Sequence, residues 1–370
     1  MKQIAIISNT SWYVYNFRKG LISTLVELGY VVYAVCPKDK FVDEIKALGC
    51  TFIELKGIEN KGKNPFKDLL LCWELRRILK QYKIDYCYLY TPKINIYGSI
   101  ATKFSKVQAI VTINGLGLVF TDEQPGWLKF AVKKLYKFAF RHLSVVFFQN
   151  DEDRLFFIQA GIINQKHRTQ LVRGSGVNLT EFYPKKTFNE GRKLVFLLSA
   201  RLIKEKGLYE YFEAAQNLKA KYPDVTFALI GLPAKNPSAV SQAEITAIAE
   251  RGTIDYLGES DNMSQTLDSV DVLVLPSYYR EGIPRILLEG LAKGLPIITT
   301  DNIGCRETVD HGQNGYLVPV KDATALEQAM EHMITLPETE RLQMGVNSRT
   351  KATADFDEKI NHLAYINCMN

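Results

Sequence analysis

Short apolar runs alternate with helical stretches along most of this chain. Residues 4–7 form an apolar run that precedes a helical pattern ending at Gly29, and the run at 31–35 precedes a second helical stretch ending at Gly49. Short apolar runs of this kind are typical of strands buried on both faces, and their alternation with helices predicts a parallel α/β sheet. The same rhythm predicts further strands at residues 52–55, 86–89, 109–113 and 145–148.

The strand-helix rhythm begins again at residues 194–199, after the polar stretch 183–191. A second start of this kind indicates a second domain, because a chain of 370 residues is too long for a single core of ordinary size. Strands of the second half are predicted at residues 226–230, 254–257, 272–275, 297–300 and 315–318.

The predicted fold class is therefore α/β, with two doubly wound, Rossmann-like domains in series. Ligands of such sheets bind at the carboxyl ends of the strands, so we expect a site in a cleft that both domains line. The predicted parts are an N-terminal domain at 1–183, a linker at 184–192, a C-terminal domain at 193–350 and a final helix at 351–370 that returns to the N-terminal domain.

The formal net charge of +6 is unevenly distributed. Lys and Arg outnumber Asp and Glu by about 12 in residues 1–190, whereas the acids are in excess by about 6 in the remainder. The basic residues of the first half are spread over many elements without a nucleic-acid reader motif, so we expect no nucleic acid among the partners. An anionic membrane surface or a phosphate-bearing acceptor fits this half.

Neither a membrane-spanning segment nor a secretion signal is indicated. No apolar run reaches the roughly 18 residues that a spanning helix needs, and the chain enters a strand pattern directly at Lys2. The six cysteines include no C-x-x-C pair, and the five histidines show no metal-ligand spacing. We expect a cytoplasmic protein that holds no metal and no cofactor.

Two carboxylates, Glu281 and Glu289, flank a Gly and a Pro directly after a predicted strand. Pro284 suits the start of a helix, because its missing N–H is one that the first turn cannot bond anyway. A helix start at Ile283 to Arg285 can bind phosphate through its N–H groups, and the two carboxylates can accept hydrogen bonds from sugar hydroxyls. These groups together predict a nucleotide sugar as the ligand.

Two basic residues follow the first strand of the second half. Arg201 and Lys206 would project at the carboxyl edge of the sheet, where a planar guanidinium and a mobile ammonium can neutralise a diphosphate. A solvated basic loop is the alternative explanation. The phosphate-ready helix start in the same half favours a functional role.

These motifs occur in the order and at the distances found in a known family. Arg201 and Lys206, the carboxylate pair, the segment 304–309 and Gly315 resemble the donor-binding half of family-4 glycosyltransferases, which are retaining enzymes of the GT-B fold. The resemblance covers most of residues 190–320. It implies that this chain is a metal-independent hexosyltransferase with a nucleotide-sugar donor.

The first half is more weakly similar to this family, through Asn16, Arg18 and the segment Asn114-Gly115-Leu-Gly117. These pieces resemble bacterial members that extend glycans on undecaprenyl diphosphate, such as N-acetylgalactosaminyltransferases. The resemblance implies that they lie on the acceptor side. It also implies an acceptor that is a lipid-linked saccharide, and a pathway that makes a surface polysaccharide, such as capsule or lipopolysaccharide, or a glycoprotein glycan.

The resemblance gives the residues of the second half their roles. Arg201 and Lys206 would hold the donor diphosphate and stabilise it as the leaving group. Glu281 would lie by the transferred sugar, which we expect to be an N-acetylhexosamine carried by UDP, and Glu289 would bind the ribose hydroxyls. The remaining donor contacts would come from Gly231, Gly258, Glu259, Gly282, Ile283, Pro284 and Arg285.

Two positions depart from the family pattern. Pro284 stands where other members have Gly, and it has no N–H to offer to the donor. The loop that faces the donor sugar, residues 112–117, has no His and no other general base for neutral pH. Its composition suits a retaining substitution in which the leaving phosphate oxygen takes the proton of the acceptor.

Other functions remain open at this level. One alternative is a nucleotide-sugar-binding protein without turnover, and another is a Rossmann-type sugar-nucleotide epimerase or dehydrogenase. The dehydrogenase has little support, because neither half carries G-x-G-x-x-G after its first strand. Asp151 and Asp153 match the D-x-D of another transferase fold, but acids in the first turn of a helix explain them without a metal.

The helical stretch 125–143 combines basic and aromatic residues. Exposed aromatics within a basic face are typical of a helix that lies in a membrane interface, although a solvated face explains the charges as well. The hypothesis is that this helix docks the protein on the inner face of the plasma membrane. Its basic face comprises Lys129, Lys133, Lys134, Lys137 and Arg141 with Phe130 and Phe140 among them, and its core side comprises Leu128, Val132, Leu135 and Ala139.

Overall fold

The computed structural model of the protein describes residues 1–58, 65–116, 120, 125–184, 193–233 and 238–369. The chain forms two compact units. The first unit comprises Met1–Ser175 together with the residues from Glu358 onward, and the second comprises Gly176–Asp357. Each unit is built on one sheet.

Helices and strands alternate along the first unit, as its apolar pattern predicts. The elements in chain order are β1 (Gln3–Ile7), α1 (Ser11–Glu27), β2 (Val31–Cys36), α2 (Val42–Ala47), β3 (Thr51–Glu54), α3 (Pro65–Gln81), β4 (Tyr86–Tyr90), α4 (Pro92–Thr102), β5 (Gln108–Ile113), α5 (Gly126–Phe140), β6 (Val145–Phe148), α6 (Asp151–Gln159) and β7 (Arg168–Leu171).

The second unit repeats this alternation, and a last helix follows it. The elements in chain order are β8 (Val195–Ser199), α7 (Leu208–Lys221), β9 (Thr226–Ile230), α8 (Gln242–Glu250), β10 (Asp255–Tyr256), α9 (Met263–Leu267), β11 (Val272–Leu275), α10 (Arg285–Ala292), β12 (Ile297–Thr300), β13 (Gly315–Val318), α11 (Ala323–Thr335), α12 (Glu338–Asp355) and α13 (Glu358–Asn367).

Both sheets are parallel and doubly wound, so the predicted α/β class is confirmed. The first has the strand order β3-β2-β1-β4-β5-β6-β7, and the second has the order β10-β9-β8-β11-β12-β13. In each sheet the order reverses beside the first strand of the unit, between β1 and β4 and between β8 and β11. Doubly wound sheets bind ligands at the carboxyl ends of the strands at this reversal.

The unit boundaries differ from the predicted ones at both ends. Residues 176–183 belong to the second unit, because the Val177 N–H donates to the Phe356 carbonyl at 2.8 Å and Phe182 is buried in that unit's core. Residues 351–355 complete α12, and the second unit continues to Asp357. The predicted linker lies almost wholly outside the described residues, since residues 185–192 are not described.

Helix α13 packs on the first unit, against the sheet face that α1 covers. The Tyr88 hydroxyl donates to the Tyr365 carbonyl at 3.1 Å, and the Tyr86 hydroxyl donates to the Met369 carbonyl at 2.9 Å. The chain therefore begins in the first unit, passes through the second and ends on the first.

Candidate functional site

Two loops meet at the strand-order reversal of the second sheet. One loop leaves β8 and leads to α7, and the other leaves β11 and leads to α10. Because β8 and β11 are parallel neighbours, both loops lie at the carboxyl edge of the sheet. The loops carry Arg201, Lys206 and Glu281, three of the predicted site residues.

Lys206 and Glu281 form an ion pair between these loops. Lys206 is 5% exposed, so its ammonium needs a partner of opposite charge. The ring of Tyr279 lies beside both cations, since its centroid is 5.5 Å from Arg201 Cζ and 5.5 Å from Lys206 Nζ. Arg201 is exposed. The site thus joins a buried and an exposed cation around one aromatic ring.

The backbone holds the two loops together. Gly207 has a φ of 75°, and a Cβ at this position would lie 2.2 Å from the Pro276 carbonyl oxygen, which explains why glycine follows Lys206. The Tyr278 N–H donates to the Glu205 carbonyl at 2.9 Å. Lys206 is therefore positioned by the main chain of its own loop and by the loop after β11.

A third loop, after β12, packs under the loop that carries Glu281. Thr300 Oγ1 donates to the Ser277 carbonyl, and Asn302 Nδ2 is 3.3 Å from the Tyr279 carbonyl. Gly304 has a φ of 87°, and a Cβ there would lie 2.1 Å from the Gly282 carbonyl oxygen. Burial raises the pKa of the neighbouring Cys305 thiol to about 11, so this thiol is neutral and a poor nucleophile at neutral pH.

Helix α10 begins where the sequence predicts. Pro284 is its N-cap residue, and the proline ring has no atom that accepts hydrogen bonds from the N–H groups of the first turn. These N–H groups and the helix dipole suit a phosphate or carboxylate group. Glu289 lies one turn into the helix, is largely buried and accepts a hydrogen bond from Arg285 Nε at 2.7 Å.

Gly231 and Gly258 follow β9 and β10, next to the loop of Arg201. The Gly231 N–H donates to the Gly258 carbonyl at 2.8 Å, and a Cβ on Gly231 would lie 1.8 Å from the Ala200 carbonyl oxygen. The close approach of these backbones requires glycine. Glu259, which follows Gly258, is exposed. The structure therefore gathers the predicted donor-side residues of the second unit at one edge of its sheet.

A second polar cluster lies at the carboxyl edge of the first sheet. Asn114 Nδ2 and Arg18 Nη2 both donate to the Tyr13 hydroxyl, at 2.6 Å and 2.9 Å, and Gln149 Nε2 donates to Asn114 Oδ1 at 3.1 Å. Arg18 and Asn114, which are 96 positions apart in the chain, are thus joined through one tyrosine.

Arg18 is a buried cation. It is 2% exposed, its Cζ lies 3.9 Å from the Tyr90 ring centroid, and its Nε has no hydrogen-bond partner in the described part of the chain. Within those same residues its guanidinium forms no ion pair with a carboxylate. A buried guanidinium without a carboxylate suits an anionic ligand.

The other predicted acceptor-side residues differ in their surroundings. Asn16 Nδ2 donates to the Trp12 carbonyl within α1 at 2.9 Å. Gly115 has a φ of 116°, which favours glycine after Asn114. Gly117 lies outside the described residues.

Sequence reasoning missed three residues of these clusters: Tyr13, Gln149 and Tyr279. Gln149 directly follows β6, so its place after a buried strand was the signal that could have found it. Nothing in the sequence around Tyr13 and Tyr279 distinguishes them from other aromatic residues. Only the packing of distant segments shows that each contacts the candidate cations.

Asp151 and Asp153 lie in the first turn of α6, as their helical explanation predicts. The Asn150 side chain caps this helix, with its Oδ1 accepting from the Asp153 N–H at 2.7 Å, and Asp153 is fully buried. Among the described residues, no group of three His, Cys, Asp or Glu side chains is placed to hold a metal ion.

Helix α5 ends earlier than predicted, and one of its aromatics was assigned to the wrong face. Phe140 does not lie in the basic face but is buried in the core of the first unit with Tyr136 and Ala139, because it falls on the side that packs on the sheet. Phe130 is exposed as predicted, and Trp127 is exposed as well. No helix in the described ranges is both long and apolar enough to cross a bilayer.

Two family descriptions match the chain. Glycosyl transferase 4-like matches residues 3–150, and Glycosyl transferases group 1 matches residues 180–351. The chain therefore belongs to these glycosyltransferase families, as the resemblance predicts. Its two parallel sheets are those of the GT-B fold.

One similar protein matches nearly the whole chain, and another matches most of it. It is 27% identical to the N,N'-diacetylbacillosaminyl-diphospho-undecaprenol alpha-1,3-N-acetylgalactosaminyltransferase of Campylobacter jejuni, over 97% of this chain and 96% of that protein. It is 25% identical to the UDP-Gal:alpha-D-GlcNAc-diphosphoundecaprenol alpha-1,3-galactosyltransferase of Escherichia coli, over 71% and 70% of the two chains.

Solved structures share the fold. Sucrose-phosphate synthase from Thermosynechococcus elongatus has a TM-score of 0.80 at 20% identity, over 100% of this chain and 98% of that one. HepE from Anabaena, solved in complex with UDP, has a TM-score of 0.77 at 18% identity, over 100% and 99%. Membership of these families does not favour the alternatives of a binding protein without turnover, an epimerase or a dehydrogenase.

Proposed function

We propose that this glycosyltransferase is a retaining, metal-independent hexosyltransferase. It transfers a sugar, with N-acetylhexosamine as the first candidate, from a UDP-sugar to a lipid-linked saccharide in the biosynthesis of a surface polysaccharide or glycoprotein glycan. The observation that carries the proposal is the pairing of Lys206 with Glu281, beside Arg201 and Tyr279, at the strand-order reversal of the second sheet.

The donor diphosphate would bind to Arg201 and Lys206. Both are cations at the carboxyl edge, and the N-terminus of α10 at the same edge adds the positive end of its helix dipole. Glu281 would accept a hydrogen bond from the transferred sugar, and Glu289 would accept hydrogen bonds from the ribose. The backbone around Gly231 and Gly258 would contact the nucleotide, and a side chain on Gly258 would meet no protein atom within 4 Å, which leaves open space there.

The reaction would break the bond between the anomeric carbon and the phosphate oxygen, and it would form a bond from that carbon to an acceptor hydroxyl on the same face. The departing phosphate oxygen would take the proton of that hydroxyl. Two features support this step: residues 112–116 contain no general base, and the Cys305 thiol is neutral through burial. Arg201 and Lys206 would stabilise the charge that develops on the diphosphate without a metal ion.

The acceptor side is proposed at the cluster of Arg18, Asn114 and Tyr13. The guanidinium of Arg18 is buried and has no carboxylate partner in the described part of the chain, so it suits a phosphate of a lipid diphosphate, and the amides of Asn114 and Gln149 suit sugar hydroxyls. The names of the Campylobacter jejuni and Escherichia coli relatives support this acceptor class, since both state a saccharide on diphosphoundecaprenol. The UDP of the donor is supported by the Escherichia coli enzyme's name and by the HepE complex.

Release of UDP is the measurement that tests the transferase. Wild-type protein should release UDP from a panel of UDP-sugars when a lipid-linked saccharide is added, whereas a binding protein would release none. Lys206→Ala should lower the turnover number by about a hundredfold or more, because one group that stabilises the leaving charge is lost. Lys204→Ala, an exposed position two residues away, should keep wild-type turnover. Equal rates for the two variants would refute the donor-site assignment.

A peripheral position on the inner face of the plasma membrane is part of the proposal. Helix α5 presents Lys129, Lys133, Lys134 and Lys137 beside the exposed rings of Trp127 and Phe130. Changing Lys133, Lys134 and Lys137 to Glu should abolish flotation with anionic liposomes. The control reverses three exposed cations of the second unit, Lys193, Lys221 and Arg251, and should float like wild type. Unaltered flotation of the α5 variant would exclude this helix from docking.

A further inference from the structure

Helix α3 is apolar on two opposite sides. Leu71, Leu75 and Ile78 face the core of the first unit and are buried. On the other side, Leu69, Leu70 and Trp73 are 73%, 62% and 62% exposed. Side chains three and four positions apart share one face of a helix, so these three form a continuous apolar stripe. A contiguous exposed stripe of large apolar residues marks an interaction surface.

The charges around this stripe are basic. Arg76, Arg77 and Lys80 are exposed, and the Arg77 guanidinium lies 5.9 Å from the Trp73 ring centroid. The stripe and these three cations are called the α3 outer face below. An aromatic and apolar stripe beside long basic side chains is typical of helices that lie in the interface of an anionic bilayer.

The acidic residues of α3 are occupied by the protein itself. Asp68 accepts hydrogen bonds from Lys93 Nζ at 2.8 Å and from the Tyr97 hydroxyl at 2.9 Å, both on α4. Glu74 accepts from the N–H groups of Lys56 and Gly57, at 2.9 Å and 2.7 Å. Neither carboxylate is therefore available to neutralise the α3 outer face, which favours an anionic occupant.

The α3 outer face lies toward the same edge of the sheet as the acceptor cluster. Helices of a parallel α/β sheet run opposite to the strands, so their first turns lie near the carboxyl ends of the strands. Leu69, Leu70 and Trp73 are in the first half of α3, and Trp127 and Phe130 are in the first half of α5. Helix α4 packs against both helices and is largely buried, so α3 and α5 flank it on the outside of the unit.

We propose that the α3 outer face docks on an anionic lipid bilayer, with Leu69, Leu70 and Trp73 entering the boundary between headgroups and acyl chains. The role of this contact, bringing the acceptor cluster to a lipid-linked substrate, rests on the proposed function. A second copy of the chain is a poorer occupant, because a twofold contact would place the three cations of one copy against those of the other.

Binding to vesicles tests the docking directly, without turnover. The variant Leu69→Ser/Leu70→Ser/Trp73→Ser should bind phosphatidylglycerol-containing vesicles at least tenfold more weakly than wild type. The matched control is Ile360→Ser/Leu363→Ser on α13, where the side chains are 46% and 60% exposed in the same unit. The control should bind like wild type. Unchanged binding of the α3 variant, or equal wild-type binding to pure phosphatidylcholine vesicles, would overturn the proposal.

Tryptophan quenching locates the contact. The chain has three tryptophans, so Trp12→Phe/Trp127→Phe leaves Trp73 as the single fluorophore. Lipids brominated on the acyl chain should quench Trp73 when this protein binds to vesicles. Bound protein with an unquenched Trp73 would contradict insertion of α3.

Two further measurements separate the other outcomes. Sedimentation without lipid should give the same mass for wild type and the α3 variant; a wild-type dimer that the variant dissociates would assign the face to a second copy. With a short-chain, detergent-dispersed acceptor, the α3 variant should keep the wild-type turnover number. If wild type binds vesicles but turns over no UDP-sugar, the proposed function fails while the docking surface stands.

Discussion

Lys206 and Glu281 neutralise each other's charge in the structure, so a donor diphosphate that binds Lys206 has to compete with Glu281. A largely buried ammonium needs a counter-charge when no ligand is bound, and Glu281 supplies it. A diphosphate that binds Lys206 must then share it with a carboxylate. The same carboxylate repels the phosphate and attracts the sugar hydroxyls, so it should weaken product binding while it orients the sugar.

Glu281→Gln should therefore separate UDP binding from turnover. Removal of the negative charge should tighten UDP binding by about tenfold, equivalent to about 1.4 kcal/mol. The turnover number should fall, because a contact to the transferred sugar is weakened. Calorimetric titration with UDP and initial rates with the UDP-sugar measure the two effects, with Glu213→Gln, an exposed carboxylate on α7 of the same unit, for comparison. Weaker UDP binding in Glu281→Gln would contradict competition for Lys206.

His362 on α13 gives a pH dependence of stability. Burial, with the nearby Arg18 and Lys359 cations, lowers the pKa of His362 from 6.5 to about 4, and its Nδ1 is 3.0 Å from Thr24 Oγ1. The unfolded chain therefore takes up this proton first as the pH falls. The contribution of His362 to stability is complete above pH 6.5 and is lost as the pH falls toward 4, by on the order of 3 kcal/mol in total.

Urea unfolding at several pH values measures this effect. Because carboxylates titrate in the same range, the informative quantity is the difference between wild type and His362→Gln at each pH. Between about pH 7.5 and about pH 5, wild type should lose on the order of 2 kcal/mol more than the variant. If the free energy of unfolding depended on pH in the same way in wild type and in His362→Gln, His362 would not be held neutral in the folded protein.

At the scale of elements, the donor-side site depends on turns that leave no space for a side chain. Gly304 and Gly312 have similar φ values, 87° and 78°, but only Gly304 has a close neighbour, the Gly282 carbonyl oxygen. Alanine should cost about 1 kcal/mol of stability at either position because of its φ. At Gly304 it should also displace the loop of Glu281. Gly304→Ala should therefore weaken UDP binding severalfold, whereas Gly312→Ala should bind UDP like wild type in the same titration. Equal UDP affinities would indicate that the two loops are independent.

Most strands were predictable because buried parallel strands are continuous apolar runs. Residues 226–230, 272–275, 297–300 and 315–318 match the structure residue for residue. Strand β7 was not predicted, because it is an edge strand that reads Arg-Thr-Gln-Leu and has no apolar pattern. Phe140 was placed on the wrong face of α5 because periodicity alone does not show which edge of a broad apolar face packs on the sheet.

The two candidate clusters were not equally predictable. The donor-side residues lie in loops directly after strands, so local order along the chain placed them at one edge of the sheet. The link between Arg18 and Asn114 depends on Tyr13. Tyr13 lies on α1 and contacts Asn114, which follows β5, only when α1 packs on the sheet that contains β5. A contact between such distant residues cannot be predicted from the pattern of a short stretch of sequence.

At the scale of the whole molecule, the path of the chain ties the stability of the first unit to its far end. Helix α13 covers a row of buried aromatics on the first sheet, with the Tyr365 ring 4.8 Å from Phe147 and 5.3 Å from Tyr88 between centroids. Lys2 Nζ also donates to the Met369 carbonyl at 2.6 Å. The first unit is therefore complete only when the residues from Glu358 onward have been made.

Removal of the residues after Asp357 should destabilise the first unit alone. The truncation exposes Tyr88, Tyr90 and Phe147 to water, and the loss of apolar contacts is comparable to that of a large-to-small substitution in a core. We therefore expect the melting temperature of that unit to fall by about 5 °C or more. Scanning calorimetry with and without UDP shows which unfolding transition belongs to which unit. On the proposed function, UDP binds the second unit and raises the midpoint temperature of that transition alone. Leu363→Ser, an exposed position on α13, should leave both transitions unchanged. If truncation lowered the UDP-sensitive transition instead, α13 would have to stabilise the donor-binding unit, and the assignment of the chain's end to the first unit would be wrong.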